Sequence, residues 1–147
     1  MAPKDKTPKE HKCGVVYHIQ CAGETNRGPC TESYIGETER SLKTRFSEHK
    51  RPSSTTSEVS QHIHIESPGH TVTLDKVRIL DTEQDYFVRG VKEAIYIRAN
   101  KPSLNRDGGR FRLSGAFDAL LTSSRFRIPE IQRRASEGVH QTASEEG

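Results

Sequence analysis

The chain has 147 residues, the length of one domain with flanking segments, which excludes a large multidomain enzyme. Only 31% of the residues are hydrophobic, and no stretch approaches the roughly 20 apolar residues that a membrane-spanning helix needs. The net charge is +3, and residues 98–112 hold five basic side chains against one acidic side chain, a field that attracts polyanions, nucleic acid first.

The start of the chain and its cysteines indicate a reducing compartment. Residues 1–12 lack the apolar core of a secretory signal, so we expect an intracellular protein. The cysteines are odd in number, namely Cys13, Cys21 and Cys30. An odd number without a secretory context favours free thiols or metal ligands over a disulfide framework.

The first predicted elements are a disordered arm and a β-hairpin. Residues 1–12 combine Lys, Pro and Glu with almost no apolar side chain, so they predict a disordered basic arm. Residues 15–19 and 33–35 are β-branched and aromatic, and the turn-forming residues 22–29 lie between them. This pattern predicts two paired strands joined by a long connection.

Two helices are predicted next. Residues 39–50 place Leu42 and Phe46 four positions apart, which predicts an amphipathic helix that ends before Pro52. After a loop rich in Ser and Thr, residues 58–66 predict a second helix, whose apolar face carries Val59, His62 and Ile63.

A strand and the strongest helix follow. Residues 71–80 alternate in polarity with a break near Asp75, which predicts a third strand or a strand pair. Residues 85–99 predict a helix with a wide apolar stripe formed by Phe87, Val88, Val91, Ala94 and Ile95. Residues 101–112 are basic and rich in turn formers, so they predict a surface loop.

These elements predict a small α/β domain of the α+β type over residues 13–122. Its centre is a three-stranded antiparallel sheet flanked by helices. Residues 117–121 are compatible with one more short helix, and residues 123–147 lack periodicity, which predicts a flexible C-terminal tail.

Five short motifs resemble, in their order, those of the GIY-YIG endonucleases. They are residues 15–17 (VVY), residues 34–36 (YIG), Arg45, Glu93 and Asn105. The resemblance covers residues 15–109. Within the family, the chain most resembles the version joined to reverse transcriptases in Penelope-like retroelements, which has cysteines between the two tyrosine motifs. The chain departs from the family in having VVY for GIY and 17 positions between Tyr17 and Tyr34.

The resemblance implies a divalent-metal-dependent DNA endonuclease that nicks strands. Glu93 would bind Mg²⁺ or Mn²⁺, Arg45 would contact the scissile phosphate, and Tyr17 would take a proton from the attacking water. A single protein carboxylate suffices for Mg²⁺, which keeps several waters. A phenol has an ordinary pKa near 10, so a base role needs a nearby cation. The supporting side chains would be Tyr34, His49 and Asn105.

A second candidate site is a zinc centre formed by Cys21, Cys30, His62 and His70. The spacings within both pairs exceed those of common structural zinc sites, so from spacing alone a buried thiol and a core histidine are equally acceptable. In the retroelement branch, the resemblance implies a zinc-finger-like set of these cysteines with downstream histidines. His62 is preferred to His64 because it shares the helix face of Val59 and Ile63.

The expected partner is DNA, or an RNA–DNA hybrid during retrotransposition, which implies a nuclear location. The side chains expected to contact phosphates are Lys43, Arg45, Lys50, Arg51, Lys101, Arg106 and Arg110. Two alternatives stay open: an inactive nucleic-acid-binding module with the same fold, and a structural or interaction protein. Taken singly, Tyr17 and Tyr34 are typical of a half-buried core, and Glu93 of a solvated charge paired with Arg89.

Overall fold

Three antiparallel strands form the main sheet in a computed structural model, which describes residues 7–54, 56–111 and 113. The strands of the described residues are β1 (Cys13–Gln20), β2 (Glu24–Thr25), β3 (Gly28–Pro29), β4 (Ser33–Ser41) and β5 (Val77–Thr82). The main sheet has the order β4-β1-β5, and β2 pairs with β3 inside the long connection. The predicted hairpin and the three-stranded antiparallel sheet are confirmed.

Within the part of the chain that the structure describes, three helices pack on the two faces of the sheet. They are α1 (Leu42–Lys50), α2 (Glu58–Gln61), which continues as a π-helical turn at His62–Glu66, and α3 (Tyr86–Asn100). Side chains of Ser41, Ser57 and Asp85 cap their N-termini. None of the described helices has the length and apolarity needed to cross a bilayer. Helix α1 begins later than residue 39 because residues 39–41 complete β4.

The predicted strand over residues 71–80 is shorter than expected. The break near Asp75 is a 3-10 turn at Leu74–Lys76, and a single strand, β5, begins directly after it. Residues 71–73 therefore run beside the sheet without joining it, and the described residues contain no strand pair here.

The described end of the N-terminal arm is structured. Lys9–His11 form a 3-10 turn, and the Lys9 ammonium donates to the carbonyls of Leu74 and Val77 at 2.8 Å each. These bonds hold this part of the predicted disordered arm against the start of β5. Residues 1–6, the predicted helix at 117–121 and the predicted tail at 123–147 lie outside the described residues.

The two faces of the sheet carry separate cores. Alternate residues of a strand point to opposite faces, so Tyr17 and Val16 pack on different sides. One core joins Tyr17 and Tyr34 with side chains of α1 and α2, among them Leu42, Phe46, Val59 and Ile63. The other joins Val16 and Ile35 with Tyr96 and Ile97 of α3.

The predicted apolar stripe of α3 is confirmed at Ala94 and wrong at its first two positions, while Val91 and Ile95 are half-buried. Phe87 and Val88 are exposed, and the buried face carries Arg89, Gly90, Glu93, Ala94, Tyr96, Ile97 and Asn100. The side chains of Phe111 and Arg110 pack directly against the backbone of Gly90. A Cβ atom added at Gly90 would lie 2.4 Å from the Phe111 ring. The helix is therefore turned by its contacts with the following loop and not by its apolar side chains alone.

The His18→Leu substitution is expected to raise the free energy of unfolding, and to raise it more at pH 5 than at pH 8. His18 is buried, and neither ring nitrogen has a hydrogen-bond partner in the described part of the chain. Burial lowers its pKa from 6.5 to about 4. As the pH falls, His18 therefore takes up a proton in the unfolded chain before it does so in the folded chain. This difference lowers the free energy of unfolding of the wild type by about 2 kcal/mol between pH 8 and pH 5.

Urea unfolding of the wild type and of His18→Leu at both pH values measures this effect. His11→Leu, at an exposed position, serves as the matched control. A His18→Leu protein with the same pH dependence as the wild type would contradict the assignment.

Candidate active site and metal centre

Two tyrosines lie side by side on neighbouring strands. Tyr17 pairs with Gly36 across β1 and β4, and Tyr34 pairs with Ile19, which places the two phenol rings 6.4 Å apart. A Cβ atom at position 36 would lie 2.6 Å from the Tyr17 oxygen. The glycine of the second tyrosine motif is therefore required by the close approach of the Tyr17 phenol to the backbone of β4.

His49 joins both phenols from helix α1. Its Nε2 atom is 2.8 Å from the Tyr17 oxygen, its Nδ1 atom is 2.8 Å from Ser57 Oγ, and its ring centroid is 5.2 Å from that of Tyr34. Burial, followed by the charge of Arg45, lowers the pKa of His49 from 6.5 to about 3. His49 is therefore a neutral hydrogen-bonding group at physiological pH.

Arg45 lies one helical turn before His49 and is half-buried. It donates to Glu48 at 2.9 Å, and Glu48 receives two further bonds from Arg40 at 2.7 and 2.9 Å. These bonds orient the Arg45 guanidinium, whose positive charge acts to lower the pKa of the Tyr17 phenol. The cation that a tyrosine base needs is thus present beside Tyr17.

Burial nevertheless has the largest effect on the pKa of both phenols. It raises the pKa of Tyr17 well above the ordinary value, and the opposing effect of Arg45 is smaller. Burial also raises the pKa of Tyr34. Both side chains are therefore neutral phenols at physiological pH, able to donate and accept hydrogen bonds.

Glu93 is a buried carboxylate with an unused oxygen. The side chain belongs to the buried face of α3, and its Oε1 atom has no hydrogen-bond partner among the described residues. Burial, followed by the charge of Glu37, raises the pKa of Glu93 to about 7. At Gly109, whose φ is +100°, a Cβ atom would lie 3.1 Å from Oε1, so the loop backbone covers the carboxylate closely.

The carboxylate and the phenols come from opposite faces of the sheet. Helix α3 packs on the face of Val16 and Ile35, whereas the phenols pack on the face of α1 and α2. The charge of Glu93 still contributes to raising the pKa of both Tyr17 and Tyr34. The structure thus brings Tyr17, Tyr34, Arg45 and His49 into contact, and brings Glu93 within electrostatic range of them where both layers meet β4, the edge strand.

Asn105 supports this edge instead of contacting the phenols. Its Oδ1 atom accepts from the Ile35 amide at 2.9 Å, and its Nδ2 atom donates to the Ile35 carbonyl at 2.8 Å. The neighbouring Leu104 amide donates to the Ser33 carbonyl. The loop after α3 thereby continues the ladder along β4 and fixes the backbone between Tyr34 and Gly36.

A buried ion network beside Glu93 was missed by sequence reasoning. Arg89, 1% exposed in its side chain, donates to Glu37 at 2.6 Å, and Arg110 donates to the other Glu37 oxygen at 3.2 Å. Burial alone would raise the pKa of Glu37, but the bonds from Arg89 and Arg110 lower it below the usual value. The alternative pairing of Glu93 with Arg89 is wrong, because Arg89 binds Glu37.

The basic side chains predicted to contact phosphates differ in their surroundings. Lys43, Lys50, Arg51 and Lys101 are exposed. Arg106 bonds Gln61 and lies 3.8 Å from a Glu66 carboxylate oxygen, and Arg110 binds Glu37. Arg106 and Arg110 are therefore already bound to polar or acidic side chains of the protein.

Two thiols and two imidazoles form a cluster that could hold a metal ion. The ligand atoms of Cys21, Cys30, His62 and His70 all lie within 4.8 Å of one another. Sγ of Cys21 is 3.5 Å from Nδ1 of His70, and Sγ of Cys30 is 3.6 Å from Nε2 of His62. The choice of His62 over His64 is confirmed, because His64 is exposed and bonds the Lys50 carbonyl.

The groups around the cluster suit metal ligation. The Gly23 amide donates to Cys21 Sγ at 3.3 Å, and the second ring nitrogen of His70 lies 3.1 Å from the Glu24 carbonyl, a bond that fixes a ligating imidazole. A Cβ atom at Gly23 would lie 2.4 Å from the His70 ring. Without a cation, burial raises the pKa of Cys21 to about 11, so an ion would displace a thiol proton.

Comparison of the chain with protein-family models, curated proteins and solved structures finds no match. The interpretation of the site therefore depends on its own geometry and on the five motifs in the sequence.

The Arg89→Ala substitution is expected to lower the free energy of unfolding by about 3 kcal/mol, because it leaves the Glu37 carboxylate without its buried partner. Urea unfolding at pH 7 measures the change. Arg40→Ala removes a partner of the exposed Arg40–Glu48 pair and is expected to change stability much less. Equal losses in the two variants would show that the Glu37–Arg89 pair has no special role.

Proposed function

We propose that the chain is a divalent-metal-dependent DNA endonuclease of the GIY-YIG type. The observation that carries this proposal is the buried oxygen of Glu93, which has no hydrogen-bond partner among the described residues and lies within electrostatic range of the paired phenols beside Arg45. A buried polar atom without a partner is costly in a structural role, so a ligand at this position explains it. The proposal includes the assignment of this α+β fold to the GIY-YIG family.

Glu93 suits a divalent cation. Its carboxylate offers an oxygen that has no hydrogen-bond partner among the described residues. Mg²⁺ or Mn²⁺, when bound, supplies Lewis-acid stabilisation of the phosphate. Glu93 holds the ion in this mechanism and takes no other part.

Arg45 and Tyr17 act on the phosphate and on the attacking water. Arg45, oriented by Glu48, offers the guanidinium that grips the scissile phosphate as its charge redistributes. Tyr17 orients the water through its phenol oxygen. Tyr17 can take the water's proton only as a phenolate, after its own proton has passed to bulk solvent; the positive charge of Arg45 favours that form, and burial opposes it.

The substrate in this proposal is DNA, or an RNA–DNA hybrid formed during retrotransposition of a Penelope-like element in the nucleus. The exposed cations Lys43, Lys50, Arg51 and Lys101 supply sequence-independent contacts to phosphates. Affinity is therefore expected to fall steeply with salt, and sequence preference to be low.

A second candidate function is nucleic-acid binding without cleavage. The observation that favours it is the raised pKa of Tyr17, which leaves the phenol neutral and unable to act as a base without help. This candidate shares the basic surface and the fold with the first. It differs in predicting no strand cleavage with any divalent ion.

Plasmid nicking with Mg²⁺ or Mn²⁺ tests the nuclease proposal. Glu93→Gln removes the metal-binding charge with little change of shape, and Arg45→Ala removes the phosphate contact. Each is expected to lower the rate by about 100-fold or more. Glu39→Gln, at an exposed position of β4, is the matched control and should cleave as the wild type does.

Binding to labelled DNA is measured in parallel on the same proteins. A wild type that binds DNA in a salt-sensitive manner and never nicks it would establish the binding module instead. Full nicking activity in Glu93→Gln would show that the site has been assigned to the wrong carboxylate.

We also propose that the ion of the Cys21, Cys30, His62 and His70 cluster is zinc. Zinc bond lengths in a tetrahedral site place sulfur and nitrogen ligands about 3.5 Å apart. Two of the four S···N distances in the cluster are 3.5 and 3.6 Å, and all the ligand atoms lie within 4.8 Å of one another. Two thiols with two imidazoles form a donor set that zinc favours over the harder Mg²⁺.

Elemental analysis of protein purified without chelator is expected to find about one zinc per chain, as a four-ligand site requires. Cys30→Ser should lose the zinc and lower the melting temperature, whereas Cys13→Ser, at the exposed thiol outside the cluster, should change neither. Zinc-free wild type, or zinc retained in Cys30→Ser, would refute this assignment.

A further inference from the structure

We propose that Ser57 is a positioning residue, which fixes the tautomer of His49 and thereby the direction of the hydrogen bond to Tyr17. This inference rests on the proposed nuclease function, because it concerns the same phenol. Ser57 belongs to none of the five sequence motifs. Its role follows from a chain of short bonds that runs from the N-terminus of α2 to the paired tyrosines.

The chain of bonds is continuous and buried. The Ser60 amide donates to Ser57 Oγ at 3.1 Å, Ser57 Oγ lies 2.8 Å from His49 Nδ1, and His49 Nε2 lies 2.8 Å from the Tyr17 oxygen. Ser57, His49 and Tyr17 are 6%, 0% and 0% exposed. These groups are therefore shielded from bulk water, and they bond mainly to one another.

The hydrogen-bond donors of this series all point in one direction, from Ser60 toward Tyr17. The Ser60 amide can only donate, so it occupies a lone pair of Ser57 Oγ. The Ser57 hydroxyl hydrogen then needs an acceptor, and among the described residues His49 Nδ1 is the one within bonding distance. If Ser57 donates to Nδ1, the proton of the neutral imidazole is on Nε2.

This arrangement determines the hydrogen bonding of the Tyr17 phenol. The Nε2–H group of His49 donates to the phenol oxygen, and the positive charge of Arg45 acts on the same phenol. A donor on the oxygen and a guanidinium charge near it favour the negative charge that develops when the phenol gives up its proton. In this arrangement the phenol hydrogen has no acceptor among the described residues, so it is available to a group of the bound substrate.

Other bonds hold Ser57 in place. The Ser60 hydroxyl donates to the Arg51 carbonyl at 2.5 Å, and His64 bonds the Lys50 carbonyl at 2.8 Å. Both bonds tie α2 and its π-helical turn to the end of α1, the helix that carries His49. The distance between Ser57 and His49 is thus fixed by two elements that are fastened together.

Three substitutions separate donation from helix capping. Ser57→Thr keeps both the hydroxyl donor and the cap. Ser57→Asp keeps the capping acceptor but cannot donate when ionised, so His49 would move its proton to Nδ1. Ser57→Ala removes both functions and reports the structural cost of losing the cap.

Nitrogen-15 NMR of labelled histidine side chains at pH 7 reads the tautomer directly, without any assay of activity. The wild type and Ser57→Thr are expected to carry the His49 proton on Nε2, and folded Ser57→Asp to carry it on Nδ1. A wild type protonated on Nδ1, or a Ser57→Asp protein with the wild-type tautomer, would overturn the inference.

The nicking assay supplies the second measurement. Ser57→Thr is expected to keep the wild-type kcat, and Ser57→Asp to lose about 100-fold or more in kcat with KM little changed, the pattern expected of a wrong tautomer. A wild type that does not nick DNA would refute the proposed function and leave the NMR result to decide this inference. A wild type and a Ser57→Asp protein that nick equally fast would refute this inference alone.

Discussion

The buried pair between Glu37 and Arg89 connects helix α3 to the edge strand β4, and the position of Glu93 depends on it. Arg89 also donates to the carbonyls of Glu83 and Gln84, so one guanidinium joins the strand, the start of the helix and the turn before it. Removing a charge from such a pair is costly because the remaining charge stays buried. The pair therefore fixes both the rotation of α3 and the carboxylate one turn further along it.

The same network sets the charge balance of the candidate site. Glu37 keeps its negative charge because Arg89 and Arg110 bind it, and that charge helps to raise the pKa of Glu93. On the other face of the sheet, Arg45 adds a positive charge beside two neutral phenols. The edge of β4 thus has a carboxylate that favours a cation on one side and a guanidinium that favours a phosphate on the other.

Local patterns were sufficient to predict the hairpin, the helices and the third strand, since each depends on periodicity within about ten residues. The order of short motifs was sufficient to group Tyr17, Tyr34, Arg45 and His49, which do lie together. The buried face of α3 was not predictable, because a charged residue, Arg89, replaces apolar side chains there. Ser57 was also missed, since its role depends on a bond to His49 across a loop.

The cluster of Cys21, Cys30, His62 and His70 has a thermodynamic consequence for the domain as a whole. Its ligands come from distant segments, and Cys21 and His70 are 49 positions apart. An ion that binds only the folded chain enters the folding equilibrium by mass action. Each tenfold rise in its free concentration above the dissociation constant then adds about 1.4 kcal/mol to the unfolding free energy. With an ion in the cluster, the stability of this small domain would therefore depend on the free concentration of that ion in its surroundings.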